Sequence, residues 1–403
     1  MKRALVLAGG GAKGSYQVGV WKALQELGWR PDIITGTSVG CLNGALFVLD
    51  KYEVARDMWL TIQNRDVMRL PGEAHPGPLA AFLQDVLRGG GLNVEPLEDI
   101  VYTLLDEAAM RRAPIRYGLV TVQQKPYKPL QLTLEEIPEG KLADYMLASA
   151  ACFPAFRPRS IDGRSFIDGG YSDLMPAGLA HRMGAEEAIC VNIDGMGLNR
   201  PAPEGLACRV IESHWELGNM LLFDPENAAR NMELGYWDTL RSFGRVRGSA
   251  YAIRTGDGPW LETLLQERYL PLMARTVERT PSFALTEKAA LALFERCTDP
   301  DLAIFEVAAE AAGVDPTRLY SGAEFCTAFI LAFGRERAER YAPLFAPEEE
   351  MDLIEAVQAI ARPAEAVAAA LFYALTGPAV RAAAPAEGAD APEPDSLPAL
   401  PAD

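Results

Sequence analysis

A serine between two glycines is the feature of this sequence best suited to chemistry. Residues 36–40 read GTSVG, a G-x-S-x-G string that follows the apolar run Ile33-Ile34 and precedes an apolar helical pattern over residues 42–49. In a nucleophile elbow, this arrangement holds the serine on a tight strand-to-helix turn, where its hydroxyl is exposed for attack. We therefore expect Ser38 to be the nucleophile of an acyl-transfer reaction.

A glycine-rich turn earlier in the chain has the composition of an oxyanion hole. Residues 9–14 read GGGAKG and follow a predicted strand at residues 4–8. Backbone N–H groups directed at one point stabilise the negative charge that develops during acyl transfer. The expected donors are the amides of Gly9, Gly10 and Gly11.

The same turn also fits the G-x-G-x-x-G fingerprint of dinucleotide-binding folds, which would indicate a nicotinamide-dependent oxidoreductase. That fingerprint requires an acidic residue at the end of the second strand, where the carboxylate binds the ribose. Here the second strand ends on Thr35 and Gly36, whereas Asp32 lies at its beginning. The glycines therefore fit an oxyanion hole better than a dinucleotide site.

The chain offers few candidates for the base that a serine nucleophile needs. Its histidines are His75 in a Pro/Gly-rich segment, His181 on a predicted helix, and His214 after a short strand with no evident orienting partner. None lies in a turn that would present it, so a Ser-His-Asp triad is disfavoured. Asp168 ends the predicted strand 161–167 and precedes two glycines. This position suits a carboxylate at the carboxyl edge of a sheet, and it suits an ordinary Asp-Gly turn equally well.

The elements around these residues predict an α/β fold. Strand and helix patterns alternate as far as the loop at 195–206, which indicates a largely parallel sheet, and they include a helix at 96–109. Beyond Asn219 the pattern is mainly helical, apart from an extended stretch at 249–253. We expect a catalytic α/β domain in residues 1–206, its continuation in 207–254, a helical cap or C-terminal domain in 255–376, and a disordered acidic Pro/Ala-rich tail in 377–403.

Some features leave alternatives open. The Pro- and Gly-rich residues 64–95, with a short helical pattern at 79–87, fit either a mobile cover over the site or an ordinary surface excursion. Apolar spacing at 79–87 and from Ile354 to Leu375 is more typical of helix packing than of membrane contact. Lys13 has the charge to attract a phosphate headgroup, but we expect a solvated side chain in the first helical turn.

Composition argues against several classes of partner and cofactor. The formal net charge of −17 disfavours nucleic acid and gives no electrostatic attraction to anionic membranes. The six cysteines form no C-x-x-C pair, which indicates free thiols in a reducing compartment, and Cys41 is expected to pack rather than react. No signal-peptide pattern and no apolar stretch of about 18 residues is present, so a cytoplasmic location is expected, with export by a signal-less route as the alternative. No side-chain cluster has metal-ligand spacing.

Three motifs together resemble the patatin family of plant acyl hydrolases and its bacterial patatin-like phospholipase relatives. They are the turn at 9–14, the elbow at 36–40 and the Asp-Gly-Gly turn at 168–170. Residues 147–156 also resemble the segment that precedes the aspartate in that family. The resemblance covers roughly residues 3–200.

The resemblance implies a three-layer α/β/α fold and a Ser–Asp dyad, in which Asp168 takes the proton of Ser38. It implies a lipid acyl hydrolase of the phospholipase A or lysophospholipase type that needs no metal or organic cofactor. Such an enzyme would meet lipid or phospholipid at a membrane or micelle surface, and its oligomeric state is left open. The alternative is a catalytically silent lipid- or protein-binding module on the same fold. Many relatives carry Asn and Pro soon after the aspartate turn, where this chain has LMP at residues 174–176. The glycines that match the family's motifs are Gly14, Gly36, Gly40, Gly169 and Gly170.

Overall fold

The computed structural model describes residues 1–69, 91–279, 292–345 and 361–377. No helix within these ranges is long and apolar enough to cross a bilayer. Three sequence predictions lie wholly or mainly outside the described residues: the helical pattern at 79–87, the apolar positions from Ile354 to Ile360, and the disordered tail.

A mainly parallel sheet of eight strands organises the N-terminal half. Its order is β5-β6-β3-β2-β1-β7-β8, and β4 pairs with β3. Neighbours among β1, β2, β3, β7 and β8 run parallel, whereas β4, β5 and β6 pair antiparallel. The predicted α/β fold is therefore confirmed. The strands are β1 (Arg3–Leu7), β2 (Ile33–Thr37), β3 (Arg116–Gln123), β4 (Lys128–Thr133), β5 (Arg159–Ile161), β6 (Arg164–Asp168), β7 (Glu187–Val191) and β8 (Ala207–Ile211).

Helices cover both faces of this sheet, because its central strands are apolar on both sides. In β1, Leu5 and Leu7 belong to one hydrophobic cluster, and Ala4 and Val6 belong to another on the opposite face. The helices of this half are α1 (Ser15–Glu26), α2 (Val39–Val48), α3 (Tyr52–Trp59), α4 (Asn64–Val67), α5 (Glu95–Leu104), α6 (Glu107–Arg112), α7 (Leu142–Ser149), α8 (Ala177–Arg182) and α9 (Pro225–Ser242).

The C-terminal helical region has its own hydrophobic core, built from residues between Ala250 and Leu375. It contains a two-stranded parallel pair, and the second of these strands was not predicted. Its strands are β9 (Ala252–Ile253) and β10 (Leu319–Tyr320), and its helices are α10 (Gly258–Leu264), α11 (Leu270–Arg279), α12 (Ala303–Ala312), α13 (Gly322–Phe333), α14 (Arg335–Glu339), α15 (Ala342–Phe345) and α16 (Pro363–Thr376).

Two predictions of single elements were wrong. The helix expected at 96–109 is two helices, because the side chain of Asp106 accepts a hydrogen bond from the Ala109 amide and begins α6 anew. The strand expected at 161–167 is a hairpin, β5–β6. Its turn residues, Asp162 and Gly163, have φ values of +48° and +75°, which two-residue hairpin turns require.

Strands β2 and β6 lie end to end along one edge of β3. β2 pairs with residues 116–120 of β3, and β6 pairs with residues 121–123. β4 pairs with residues 118–123 of β3, which overlap the residues that pair with β2 and with β6. It therefore occupies the opposite edge of β3 from both of these strands. The carboxyl end of β2 therefore meets the carboxyl end of β6 at Val120 and Thr121.

Candidate active site

Ser38 sits in the strained backbone conformation that an elbow requires. Its φ is +55° and its ψ is −130°, outside the regions that residues with a Cβ ordinarily occupy. The turn is tight because its glycines have no side chains. A Cβ on Gly36 would lie 2.4 Å from the Gly40 carbonyl oxygen, and one on Gly40 would lie 2.2 Å from the Leu7 carbonyl oxygen. Strand β2 and helix α2 can therefore approach closely enough to hold Ser38 at the sheet edge.

A second serine holds the elbow in place. The Ser38 amide donates to Ser149 Oγ over 2.9 Å, and the Ser149 hydroxyl donates to the Val120 carbonyl over 2.6 Å. Ser149 thus links Ser38 to β3 from the end of α7. Sequence reasoning missed this role, although Ser149 is a polar residue in an otherwise apolar segment.

Asp168 lies across the junction of β2 and β6 from Ser38. It pairs with Thr121 at the end of β6, while Thr37 pairs with Val120 at the end of β2. The Asp168 carboxylate accepts a hydrogen bond from the Ser38 hydroxyl. The structure therefore brings together the two residues that the sequence nominated as a dyad.

The environment of Asp168 makes it a weaker acid than usual. Burial raises its pKa to about 6, although hydrogen bonds from the Gly170 amide and the Ser38 hydroxyl oppose that rise. The Gly170 amide donates to Asp168 Oδ1 over 2.7 Å. Gly169 packs closely too, since a Cβ there would lie 2.2 Å from the Val120 carbonyl oxygen. A carboxyl with this pKa is ionised at neutral pH and basic enough to take a proton.

The glycine-rich turn lies directly beside Ser38. A Cβ on Gly9 would be 3.1 Å from Ser38 Cβ. The Gly9 amide already donates to the Leu174 carbonyl over 3.1 Å. In the part of the chain that the structure describes, the amides of Gly10 and Gly11 make no such bond. Of the three amides expected to serve as oxyanion donors, that of Gly9 is therefore already hydrogen-bonded within the fold.

Two further residues of this turn have structural roles. A Cβ on Gly14 would lie 2.5 Å from Val39 Cγ2, so Gly14 allows α1 and α2 to pack together. Lys13 is not the solvated side chain that we expected. Its Nζ donates to the Asp194 carbonyl over 2.7 Å and lies 3.7 Å from the Asp194 carboxylate, with little of the side chain exposed.

The histidines that the structure describes lie away from this dyad. His181 contacts the Ala185 carbonyl through Nδ1 at 3.1 Å. His214 does have a polar partner, contrary to our expectation, because its Nε2 lies 3.3 Å from Glu310 Oε2 in the C-terminal region. His75 lies outside the described residues.

An apolar cavity extends from Ser38. Its lining is almost entirely hydrophobic and comes from α2, α3, α5 and α7 together with Phe223. The aromatic side chains of Trp59 and Phe223 stack at one wall, 6.1 Å between ring centroids. A cavity of this character accommodates a hydrocarbon chain rather than a polar cofactor.

No metal centre is evident in the described ranges, where no three His, Cys, Asp or Glu residues cluster in a way that could hold a metal ion. The six cysteines are free thiols. Cys41 is buried beside the elbow, and burial raises its pKa to about 12, so it is a poor nucleophile.

Comparison with known proteins finds similarity to patatin-like phospholipases over part of the chain. Residues 5–181 match the family model described as patatin-like phospholipase. Patatin-like phospholipase domain-containing protein 6 of Mus musculus is 29% identical over 273 residues, which are 62% of this chain and 18% of that protein. An uncharacterized NTE family protein of Mycobacterium tuberculosis is 28% identical over 192 residues, 48% of this chain and 49% of that protein. The crystal structure of VipD from Legionella pneumophila is 15% identical with a TM-score of 0.35, covering 93% of this chain and 90% of that one.

Proposed function

We propose that this chain, whose residues 5–181 match the patatin-like phospholipase family model, is a lipid acyl hydrolase of the phospholipase A or lysophospholipase type. One observation carries the proposal: a strained serine meets a buried carboxylate at the end of an apolar cavity. The serine supplies a nucleophile, the carboxylate a base, and the cavity a place for an acyl chain.

The first half of the reaction transfers the acyl group to the enzyme. Asp168 accepts the hydroxyl proton as Ser38 Oγ attacks the ester carbonyl carbon. The carbon–oxygen bond to the alcohol breaks, the alcohol leaves with the proton from Asp168, and the acyl group remains on Ser38. In the second half, Asp168 takes a proton from water as the water oxygen attacks the acyl carbon. The bond from that carbon to Ser38 Oγ then breaks, Asp168 returns the proton to Ser38, and the fatty acid is released.

The carbonyl oxygen carries negative charge in both halves. We assign its stabilisation to the amides of Gly10 and Gly11. They follow Gly9, the residue next to Ser38, in the turn that leads into α1, and Gly11 lines the same cavity as Ser38. Loss of one such donor typically lowers turnover about 100- to 1000-fold. The free thiols support the further proposal that the chain works in a reducing compartment such as the cytoplasm.

Labelling with a fluorescent fluorophosphonate tests the dyad directly, because this reagent bonds covalently to an activated serine. Wild type should be labelled, and Ser38→Ala and Asp168→Asn should not. Asp173→Asn is the matched control. Asp173 is equally buried in the same turn, and burial raises its pKa to about 6 as well, but its carboxylate accepts from Gln131 rather than from Ser38.

The outcomes separate the candidates. Labelling that persists in Asp173→Asn and disappears in the other two variants supports the dyad, and release of fatty acid from phospholipid then supports the substrate class. Ester hydrolysis by folded Ser38→Ala protein would exclude the mechanism. Lipid capture without hydrolysis or labelling would instead indicate a catalytically silent binding module.

A further inference from the structure

A loop after β7 contacts two turns of the candidate active site through its backbone. They are the glycine-rich turn at residues 9–14 and the Asp-Gly-Gly turn at residues 168–170. This bridging loop, residues 194–198, carries two glycines that leave no room for side chains. A Cβ on Gly195 would lie 2.0 Å from the Gly9 carbonyl oxygen, and one on Gly197 would lie 2.6 Å from the Gly170 carbonyl oxygen. The loop therefore lies against the glycine-rich turn through Gly195 and against the Asp-Gly-Gly turn through Gly197.

Hydrogen bonds fix the bridging loop in this position. The Leu198 amide donates to the Gly170 carbonyl over 2.8 Å, and the Leu198 carbonyl accepts from the Leu174 amide over 2.8 Å. At the other end, the Asp194 carbonyl accepts from Lys13 Nζ. A loop tied at both ends presents its side chains in one arrangement.

Those side chains are apolar and face water. Met196 is 79% exposed and Leu198 is 60% exposed. Two exposed aromatic residues adjoin them, since Tyr171 directly follows Gly170 and the Tyr127 hydroxyl donates to the Tyr171 carbonyl. We call Tyr127, Tyr171, Met196 and Leu198 the apolar patch. Exposed apolar side chains grouped at a site mark a contact surface, because water is a poor environment for them.

We propose that the apolar patch docks on the surface of a lipid aggregate and so brings Ser38 to the ester bonds of its substrate. This inference rests on the proposed function. A lipid surface is the occupant because the patch adjoins the Asp-Gly-Gly turn of the proposed dyad, where the ester bond of a lipid substrate has to arrive. A net charge of −17 means that attraction must come from apolar contact, so a zwitterionic surface should serve.

Vesicle binding tests the proposal. The experiment uses the Ser38→Ala chain, so that lipid is not consumed, and phosphatidylcholine vesicles separated by flotation. Adding Met196→Ser and Leu198→Ser should weaken partitioning about tenfold, which is the loss expected from removing apolar burial equal to about one large side chain. Leu331→Ser is the control, since Leu331 on α13 is 77% exposed but belongs to the C-terminal region.

Activity provides a second measurement. In the chain with Ser38 intact, the same double variant should lower the ratio of phosphatidylcholine-vesicle turnover to turnover of a water-soluble short-chain ester about tenfold. The Leu331→Ser variant should keep the wild-type ratio. A double variant that binds vesicles as the parent does would overturn the proposal, and so would an equal loss in Leu331→Ser.

Two further outcomes separate this inference from the proposed function. If fluorophosphonate fails to label Ser38 but the double variant still loses vesicle binding, the hydrolase proposal fails and the docking surface stands. If the double variant converts a self-associated chain to monomer without changing vesicle binding, a second copy occupies the patch and the lipid proposal is wrong.

Discussion

In the proposed mechanism Asp168 has to be ionised to accept a proton, while its burial favours the neutral acid. Burial is the larger effect and raises the pKa to about 6, and the Gly170 amide and Ser38 hydroxyl only partly offset it. The residue thus combines two properties of a general base, since it is charged at neutral pH and it holds a proton more firmly than an exposed aspartate does.

The first prediction concerns the pH dependence of the reaction. The rate of fluorophosphonate labelling should rise with pH to a plateau, with a midpoint near the Asp168 pKa of about 6. Below that pH the carboxyl is protonated and cannot take the serine proton. Labelling rates measured from about pH 4.5 to 8 give the profile. A rate independent of pH across this range would contradict the assignment of Asp168 as base.

Folding stability provides a control, because ionisation of Asp168 should lower the stability of the wild-type chain over the pH range in which it raises the labelling rate. An unfolded aspartate has a pKa of about 3.9, so the folded chain binds this proton more tightly, and ionisation of Asp168 destabilises the fold as pH rises from about 4 to 6. Relative to wild type, the asparagine variant should gain about 1–3 kcal/mol in unfolding free energy between these pH values. Urea unfolding at both pH values would show the change.

Motif chemistry was enough to nominate Ser38, because it stands in a short string with a definite backbone requirement. Asp168 fitted an ordinary Asp-Gly turn equally well, and only the family resemblance assigned it to a dyad. Motifs in the sequence could not identify the contacts that Ser149 and Glu310 make. Ser149 contacts Ser38 across 111 residues of sequence, and Glu310 contacts His214 across 96. Such contacts depend on tertiary packing, and no local pattern encodes them.

At the scale of elements, the elbow depends on how closely β1, β2 and α2 approach. Gly40, on the first turn of α2, lies against the Leu7 carbonyl oxygen of β1, and hydrogen bonds between strands fix the position of that oxygen. A side chain at this position therefore requires the helix to move away from the sheet and to carry Ser38 with it.

The second prediction is that Gly40→Ala costs about 3 kcal/mol in unfolding free energy and lowers fluorophosphonate labelling, since the added methyl group overpacks a rigid contact. Gly178→Ala, on α8, is the matched control. Nothing lies within 4 Å of a Cβ at Gly178, so alanine there should stabilise the helix by about 0.5–1 kcal/mol. Chemical denaturation measures both. Equal effects of the two variants would show that the close approach at Gly40 is unimportant.

Hydrophobic periodicity predicted most elements of the N-terminal half to within a few residues, because their apolar faces are long and regular. It could not detect the break between α5 and α6, where an Asp106 cap interrupts a continuous helical pattern. It also missed β10, which has only two residues and exists because β9 is beside it. Short elements of this kind are products of packing rather than of local preference.

At the scale of the whole molecule, Trp215 connects the two hydrophobic cores. Its ring packs against both the large core of the N-terminal half and the core of the C-terminal helical region. The indole Nε1–H donates to the Ala250 carbonyl over 2.8 Å. The two halves therefore share a packing contact through the half-buried Trp215, in addition to the covalent chain.

The third prediction is that Trp215→Ala weakens the coupling between the halves. Thermal unfolding followed by calorimetry should change from one transition to two, with a loss of roughly 3 kcal/mol, because the contact common to both cores is removed. Trp260→Ala is the control, since Trp260 packs against the C-terminal core alone. It should lower stability without separating the transitions. A single transition in Trp215→Ala would mean that other contacts couple the halves.

Because β2 and β6 lie end to end along β3, the strand register determines how Asp168 is placed relative to Ser38. Asp168 is positioned by a ladder of three pairs, Thr121 with Asp168, Val122 with Ile167 and Gln123 with Phe166. A slip of one residue in that ladder would displace the carboxylate by about 3.3 Å and turn it to the opposite face of the sheet. We therefore expect that the loops between these strands can change in length with little effect on the distance between Ser38 and Asp168, whereas an insertion of one residue within β6 would move Asp168 away from Ser38.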